Sequence, residues 1–232
     1  MSRFESYLDH QISNDLMKLL RSHNKILHFE FPTNKEMTLT FFRVEEHYES
    51  IYTNIREQTF SVMDFVETFM EDDGYLGYFE NVYGFNVPGS SFKRFYERHA
   101  DQLTTREQAL LTAVKETGVW DDDFYVIASV EGDASTIDHE LSHAIYYFSA
   151  EYRQRVAETI DQCLRLCLLE EMKSGFREIG YVEDVFEDEI QAFMCSTRAK
   201  KLRKILGCSA TRQDRQPFKD LYNEFKDKFL VP

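Results

Sequence analysis

The sequence has little glycine and proline, with 9 Gly and 4 Pro among 232 residues, and no excess of basic side chains, since its formal net charge is −14. A chain with few turn formers, 20 Phe and 13 Tyr can bury a large core, which excludes a disordered protein. The acidic balance disfavours nucleic acid and anionic membranes as partners. No apolar run approaches the roughly 20 residues that span a bilayer. Because the first ten residues also lack an apolar signal core, we expect a cytoplasmic protein.

Cysteine is also scarce, with four residues at positions 163, 167, 195 and 208. Without a secretion signal we expect all four to be free thiols. Cys163 and Cys167 are separated by one helical turn and lie among leucines. This spacing predicts two small apolar side chains in one buried helix, and disfavours a disulfide or a metal-binding pair.

Hydrophobic periodicity predicts strands in the first part of the chain and helices in the second. The segments 26–31 and 37–44 are typical of two strands joined by a turn, and the nearly continuous apolar segment 123–130 predicts a central strand. Residues 74–91 are rich in glycine and aromatic side chains, which predicts one or two short strands and a loop; the loop within 83–92 is either structural or faces a substrate. The predicted helices cover residues 3–23, 61–71, 105–115, 135–148, 150–173, 186–206 and 214–229. Ser61 is placed as an N-cap of the second of these helices, and Thr104 and Glu107 have the spacing of a capping box for the third. The fold class is therefore α+β, with a small mixed β-sheet.

The most informative segment is TIDHELSHAIYYF, which contains the order His139-Glu140-x-x-His143. In a helix, positions i and i+4 lie on one face, so both imidazoles can bind one metal ion. Zinc takes histidine nitrogens at about 2.0–2.1 Å. Glu140 lies about 100° further round the helix, where it can take a proton from a zinc-bound water without binding the metal. The motif therefore predicts a zinc site with Glu140 as the catalytic residue.

A site with two histidines needs a third protein ligand. No histidine follows His143, so the third ligand must be an acid or a cysteine. Glu189 is the favoured residue, because it lies on a predicted amphipathic helix 46 positions after the second histidine. Glu187 and Glu183 are the alternatives.

These motifs resemble those of the gluzincin metallopeptidases, which combine His-Glu-x-x-His on one helix with a ligand glutamate on a later one. The resemblance covers roughly residues 123–200. It implies a single zincin-like domain, residues 1–232, in which an α/β subdomain (1–148) carries the histidine helix and a helical subdomain (149–232) carries the glutamate. It also implies hydrolysis of peptide or protein substrates, with Tyr181 as a candidate oxyanion donor.

One position departs from the family pattern. Phe193 occupies the place where many relatives carry an aspartate that supports a ligand histidine. A second functional class therefore remains open, namely a zinc-binding scaffold or partner-binding protein without catalytic activity. Glu140 favours the enzyme, because a purely structural site has no use for a base beside the metal.

Overall fold

The structure is a computed structural model that describes residues 17–23, 25–70, 78–79 and 82–230. The chain divides into two compact units, Met1–Asp133 and Ala134–Pro232. The predicted α+β class with a small mixed sheet is confirmed. The helix Ala134–Phe148 packs on helices that follow it in the chain, and for this reason it belongs to the second unit. The division therefore lies at residue 133, whereas the sequence had indicated residue 148.

Within the described residues, the first unit contains a sheet with the strand order β1-β2-β4-β3. Its strands are β1 (Lys18–His23), β2 (Ile26–Phe31), β3 (Gly84–Pro88) and β4 (Tyr125–Val130). β2 and β4 are parallel, and both outer pairs are antiparallel. β4 has neighbours on both sides and is buried from Tyr125 to Ser129. The prediction of an apolar central strand at 123–130 is thus confirmed.

The helices of the first unit are α1 (Asn34–Glu49), α2 (Val62–Met70), α3 (Gly89–Arg98) and α4 (Thr105–Glu116). α4 begins with the capping box expected from the sequence, in which the side chains and backbones of Thr104 and Glu107 bond to each other. α2 begins after Ser61, whose hydroxyl accepts from the backbone N–H of Asp64. Both helices therefore begin where their capping residues predicted.

The segment 37–44 was predicted as a strand, and this prediction is wrong because the segment lies inside α1. All eight of its residues are buried. One side, which includes Met37 and Phe41, packs in the cluster on the sheet, and the other side, with Leu39 and Phe42, packs in a second cluster. A helix buried on two sides loses the single apolar stripe that identifies an amphipathic helix.

Two further segments of the first unit differ from expectation. Residues 18–23 of the predicted helix 3–23 form β1, because they pair with β2, while residues 3–16 lie outside the described residues. Residues 74–91 were expected to form one or two short strands and a loop; Gly84–Pro88 is indeed a strand paired with β4, but Gly89 begins α3 where the loop was expected. Gly89 is required there, because a Cβ would lie 2.6 Å from the carbonyl oxygen of Phe124.

The second unit is helical throughout its regular elements. These are α5 (Ala134–Phe148), α6 (Ala150–Cys163), α7 (Leu166–Glu178), a 3₁₀ turn (Glu183–Val185), α8 (Phe186–Ser196), α9 (Ala199–Leu206) and α10 (Arg212–Leu230). Two long helices predicted at 150–173 and 186–206 are each divided in two. The backbone is extended at Leu164 and Arg165 in the first case, and at Thr197 and Arg198 in the second.

The first of these breaks corrects the prediction for the cysteine pair. All four cysteines are free thiols, but Cys163 and Cys167 are exposed and belong to different helices, because Leu164 and Arg165 end one helix before the next begins. They are therefore not part of a buried helical stripe. In the part of the chain that the structure describes, no helix has both the length and the apolar character needed to cross a membrane.

Candidate metal centre

The two histidines of the motif lie on α5, one helical turn apart. Their imidazole rings have centroids 4.9 Å apart and planes inclined at 81°. The Nε2 atoms of His139 and His143 are separated by 3.4 Å. Two nitrogen ligands at about 2.0–2.1 Å from a tetrahedral zinc ion are about 3.4 Å from each other. The spacing of the two nitrogens thus fits a shared ion.

An acidic side chain from α8 completes the group. The two carboxylate oxygens of Glu189 lie 3.8 Å from Nε2 of His139 and 3.7 Å from Nε2 of His143. One ligand atom can be taken from each of these three residues with all three atoms within 4.8 Å of one another. Among the described residues, no other set of three His, Cys, Asp or Glu side chains converges in this way. The three residues form a group that could hold a metal ion.

Helix packing explains why these side chains meet. α5 and α8 pack against each other, and each buries apolar side chains. The buried apolar residues are Leu141, Ala144 and Ile145 on α5, and Ile190, Ala192, Phe193 and Met194 on α8. Glu189 is only 4% exposed, so its carboxylate is withdrawn from water beside the two imidazoles. Burying an isolated carboxylate costs several kcal/mol, which a bound cation would offset.

The second nitrogen of each imidazole lies beside the oxygen of another side chain. Nδ1 of His143 lies 2.9 Å from Oδ1 of Asp188, and Nδ1 of His139 lies 3.3 Å from Oγ of Ser196. That hydroxyl donates its proton to the carbonyl of Ala192, so its oxygen is free to accept from the imidazole. A neutral histidine with its proton on Nδ1 presents the lone pair of Nε2. When both rings are neutral in this form, both lone pairs are directed toward the space beside Glu189.

The two histidines have opposite electrostatic environments. Burial, followed by the charge of His143, lowers the pKa of His139 well below its ordinary value. Burial would also lower the pKa of His143, but the carboxylates of Asp188, Glu189 and Glu140 raise it well above the ordinary value. The centre therefore favours one added positive charge, either a proton on His143 or a metal cation in its place.

Glu140 follows His139 on α5 and is 5% exposed. Its charge is among those that raise the pKa of His143, so the carboxylate acts on the same centre. It is not a member of the converging group of ligand atoms. Glu140 is thus near the three converging residues without being one of them, and its catalytic role stays a prediction.

The two alternative glutamates lie elsewhere. Glu187 is exposed and accepts a hydrogen bond of 3.1 Å from the hydroxyl of Tyr146. Glu183 is exposed in the 3₁₀ turn and forms an ion pair of 2.7 Å with Arg177. Neither belongs to the converging group, so the structure favours Glu189 among the three acids that the sequence offered.

Two other residues named by the sequence lie in the same unit. The ring of Tyr181 packs on Phe176 at 5.6 Å, and its backbone N–H donates to the carbonyl of Phe176. Its role as an oxyanion donor stays a prediction. Phe193, which departs from the family pattern, packs edge-on against the ring of His139 at 4.8 Å. Asp188, which the sequence had not identified for such a role, instead lies 2.9 Å from Nδ1 of His143.

The position of Asp188 next to Glu189 is a sequence signal for that role. The side chains of neighbouring residues on a helix point about 100° apart, so those of Asp188 and Glu189 point in different directions. If one carboxylate faces the Nε2 side of a histidine, the other can reach its Nδ1 side. The order Asp-Glu before an amphipathic stripe could therefore have indicated a ligand and its support.

Comparison with protein-family models, with curated proteins and with solved structures gives no significant match for this chain. The centre is therefore characterised by its own geometry.

Proposed function

We propose that the protein is a zinc-dependent metallopeptidase of the gluzincin type with a zincin-like fold. His139, His143 and Glu189 would hold the zinc ion, and Glu140 would act first as general base and then as general acid. The supporting observation is the convergence of two Nε2 lone pairs and one buried carboxylate, with both Nδ1 atoms turned toward other acceptors. The proposed substrates are peptides or proteins in the cytoplasm.

The donor set supports zinc over magnesium or calcium. Imidazole nitrogen suits zinc and other transition metals, whereas magnesium and calcium prefer oxygen ligands. Two histidines and one glutamate are a known donor set of catalytic zinc sites, which keep a fourth position open. When bound there, zinc lowers the pKa of a water ligand toward about 7 and polarises a carbonyl group.

The side chains of the chain have separate roles in this proposal. Asp188 and Ser196 hold the imidazole rings so that each Nε2 faces the ion. Glu140 would accept a proton from the water that attacks the peptide carbonyl, and would then give that proton to the leaving amine. Its burial keeps the carboxylate in a fixed position and away from bulk water. A positioned acid–base group of this kind contributes about 10²–10⁴-fold to the rate.

A second candidate function is metal binding without turnover. His143, Glu189 and Glu140 are each no more than 5% exposed, and His139 has the most accessible ligand side chain, at 16%. Such burial favours a metal site that stabilises the helices or a binding surface. The two candidates differ in what Glu140 does, because only the enzyme needs a base.

A substrate-trapping comparison of wild type with Glu140→Gln tests the proposal. The substitution keeps the size of the side chain but removes the base. The variant should keep zinc and its thermal stability, while hydrolysis of a peptide library, followed by mass spectrometry, should fall by about 100-fold or more. Proteins cleaved by wild type should remain bound to the variant.

The matched control is Glu187→Gln, which makes the same change at an exposed acid of α8 outside the centre. This control should cleave at the wild-type rate. Equal cleavage by Glu140→Gln and wild type would reject the proposed mechanism. A zinc-loaded wild type that cleaves no member of the library would favour the metal-binding scaffold.

A further inference from the structure

A series of polar contacts leads from Tyr152 on α6 to the second nitrogen of His143. The hydroxyl of Tyr152 donates to Oε1 of Gln191 at 2.8 Å, and Nε2 of Gln191 donates to Oδ1 of Asp188 at 2.8 Å. The same Oδ1 lies 2.9 Å from Nδ1 of His143. Gln191 and Tyr152 are 0% and 1% exposed, so bulk water does not compete for the bond between them.

Only one orientation of the Gln191 amide gives every one of these contacts a donor and an acceptor. Nε2 of Gln191 also approaches Oγ of Ser142 at 3.2 Å, and that hydroxyl donates its own proton to the carbonyl of His139 at 2.7 Å. The amide must therefore present its N–H₂ group to Ser142 and Asp188, and its oxygen to Tyr152. A flipped amide would place its oxygen against the carboxylate of Asp188, where neither group has a proton to donate.

The orientation of the Gln191 amide determines how Asp188 is held beside the candidate metal centre. Asp188 is partly exposed, with 27% of its side chain accessible, and could rotate if nothing held it. Gln191 fixes the oxygen that faces Nδ1 of His143. When the ring is neutral, a fixed acceptor there favours the tautomer with the proton on Nδ1 and the lone pair on Nε2, the nitrogen that faces His139 and Glu189.

We propose that Gln191 and Tyr152 are positioning residues of the metal centre, which act through Asp188 to set the tautomer and orientation of His143. The inference rests on the proposed zinc site and adds two residues that never touch the ion. Groups that orient a ligand histidine typically change metal affinity by about 10–100-fold when they are removed.

The test compares zinc affinity in wild type, Gln191→Leu and Tyr152→Phe by competition with a chromophoric chelator. Gln191→Leu removes the amide while keeping a side chain of similar size, and zinc affinity should fall by about 10-fold or more. Tyr152→Phe removes only the hydroxyl that donates to the amide oxygen, while Ser142 and Asp188 still fix the amide orientation, so the loss should be smaller. The visible absorption of the Co²⁺ forms, which reports ligand geometry, should change in the same order.

The control is Tyr96→Phe, which deletes another buried hydroxyl, one that donates to the carbonyl of Glu107 in the first unit. This variant should lose comparable thermal stability and keep wild-type zinc affinity and Co²⁺ absorption. If Gln191→Leu binds zinc as tightly as wild type, this inference is wrong while the zinc site stands. If wild type itself binds no zinc, the proposed function fails, and the inference fails with it.

Discussion

Two regions of the molecule bury histidines beside charged groups, and they use them in opposite ways. In the second unit, His139 and His143 direct Nε2 toward each other and toward the carboxylate of Glu189. In the first unit, His47 and His99 are almost fully buried, but their rings pack on each other and on Phe95. The first arrangement gathers lone pairs around one point, whereas the second covers the rings with aromatic surface.

The neighbouring charges differ as well. The first-unit cluster contains the buried pair Arg43 and Glu107, whose Nε and Oε1 are 3.5 Å apart, so its charges compensate each other. Burial and nearby cations, including Arg43, lower the pKa of His47 and of His99 to about 4, and both rings are neutral near pH 7. The metal centre instead has acidic neighbours that raise the pKa of His143. Burial of histidine alone therefore does not mark a site; converging lone pairs with an excess of acids do.

The largest expected effect is the loss of stability when the buried pair of the first unit is broken. Arg43→Ala leaves Glu107 buried without its partner, and this should lower the free energy of unfolding by about 3–5 kcal/mol. Urea denaturation measures the loss. Zinc content per folded chain should not change, because the pair belongs to the first unit.

A double variant sharpens this prediction. Arg43→Met combined with Glu107→Gln removes both charges and keeps a residue that can complete the capping box with Thr104. It should recover most of the lost stability, because a buried pair replaced by neutral groups is nearly as stable as the pair. A double variant no more stable than Arg43→Ala would show that the guanidinium acts through its aromatic contacts instead.

The next largest effect is expected from removing the glutamate that is proposed to bind the zinc ion. Glu189→Ala removes a proposed ligand, so zinc affinity should fall by more than about 100-fold, beyond the loss expected for a group that only supports a ligand. Chelator competition measures this, with Glu187→Ala and Glu183→Ala as matched controls that should bind like wild type. Zinc loss in Glu187→Ala with retention in Glu189→Ala would reverse the assignment.

A smaller effect concerns acid stability in the first unit. The folded pKa of His47 is about 4 and the unfolded value about 6.5, so its contribution is complete above about pH 6.5 and is lost as pH falls toward 4. Between about pH 7 and pH 5, His47→Phe should therefore lose about 2 kcal/mol less stability than wild type. Urea denaturation at both pH values checks this. Equal pH dependence would mean that folding does not lower the pKa of His47.

The parts of the fold that the sequence predicted correctly depend on local chemistry. Capping side chains at Ser61 and Thr104 and the apolar run of β4 each act within a few residues, and each gave the right element. The helix α1 was missed because its two buried sides pack in different clusters, which no single stripe reveals. β1 was missed because its conformation follows from pairing with β2.

In the candidate site, too, the local relations could be predicted and the contacts between distant residues could not. His139, Glu140 and His143 share one helix, and their relation follows from helical geometry. The choice of Glu189 depended on which face of α8 meets α5, and the contact of Glu187 with Tyr146 is visible only in the structure. The bond from Tyr152 to Gln191 joins residues 39 positions apart, and no local spacing predicts it.

The central claim is that His139, His143 and Glu189 hold one zinc ion, and metal analysis of the purified protein tests it most directly. Protein made in zinc-replete medium should contain about one zinc per chain, and His143→Ala should contain almost none. His47→Phe, the substitution of a buried histidine in the first unit, should retain about one zinc. A wild-type zinc content near zero, unchanged by His143→Ala, would contradict the account.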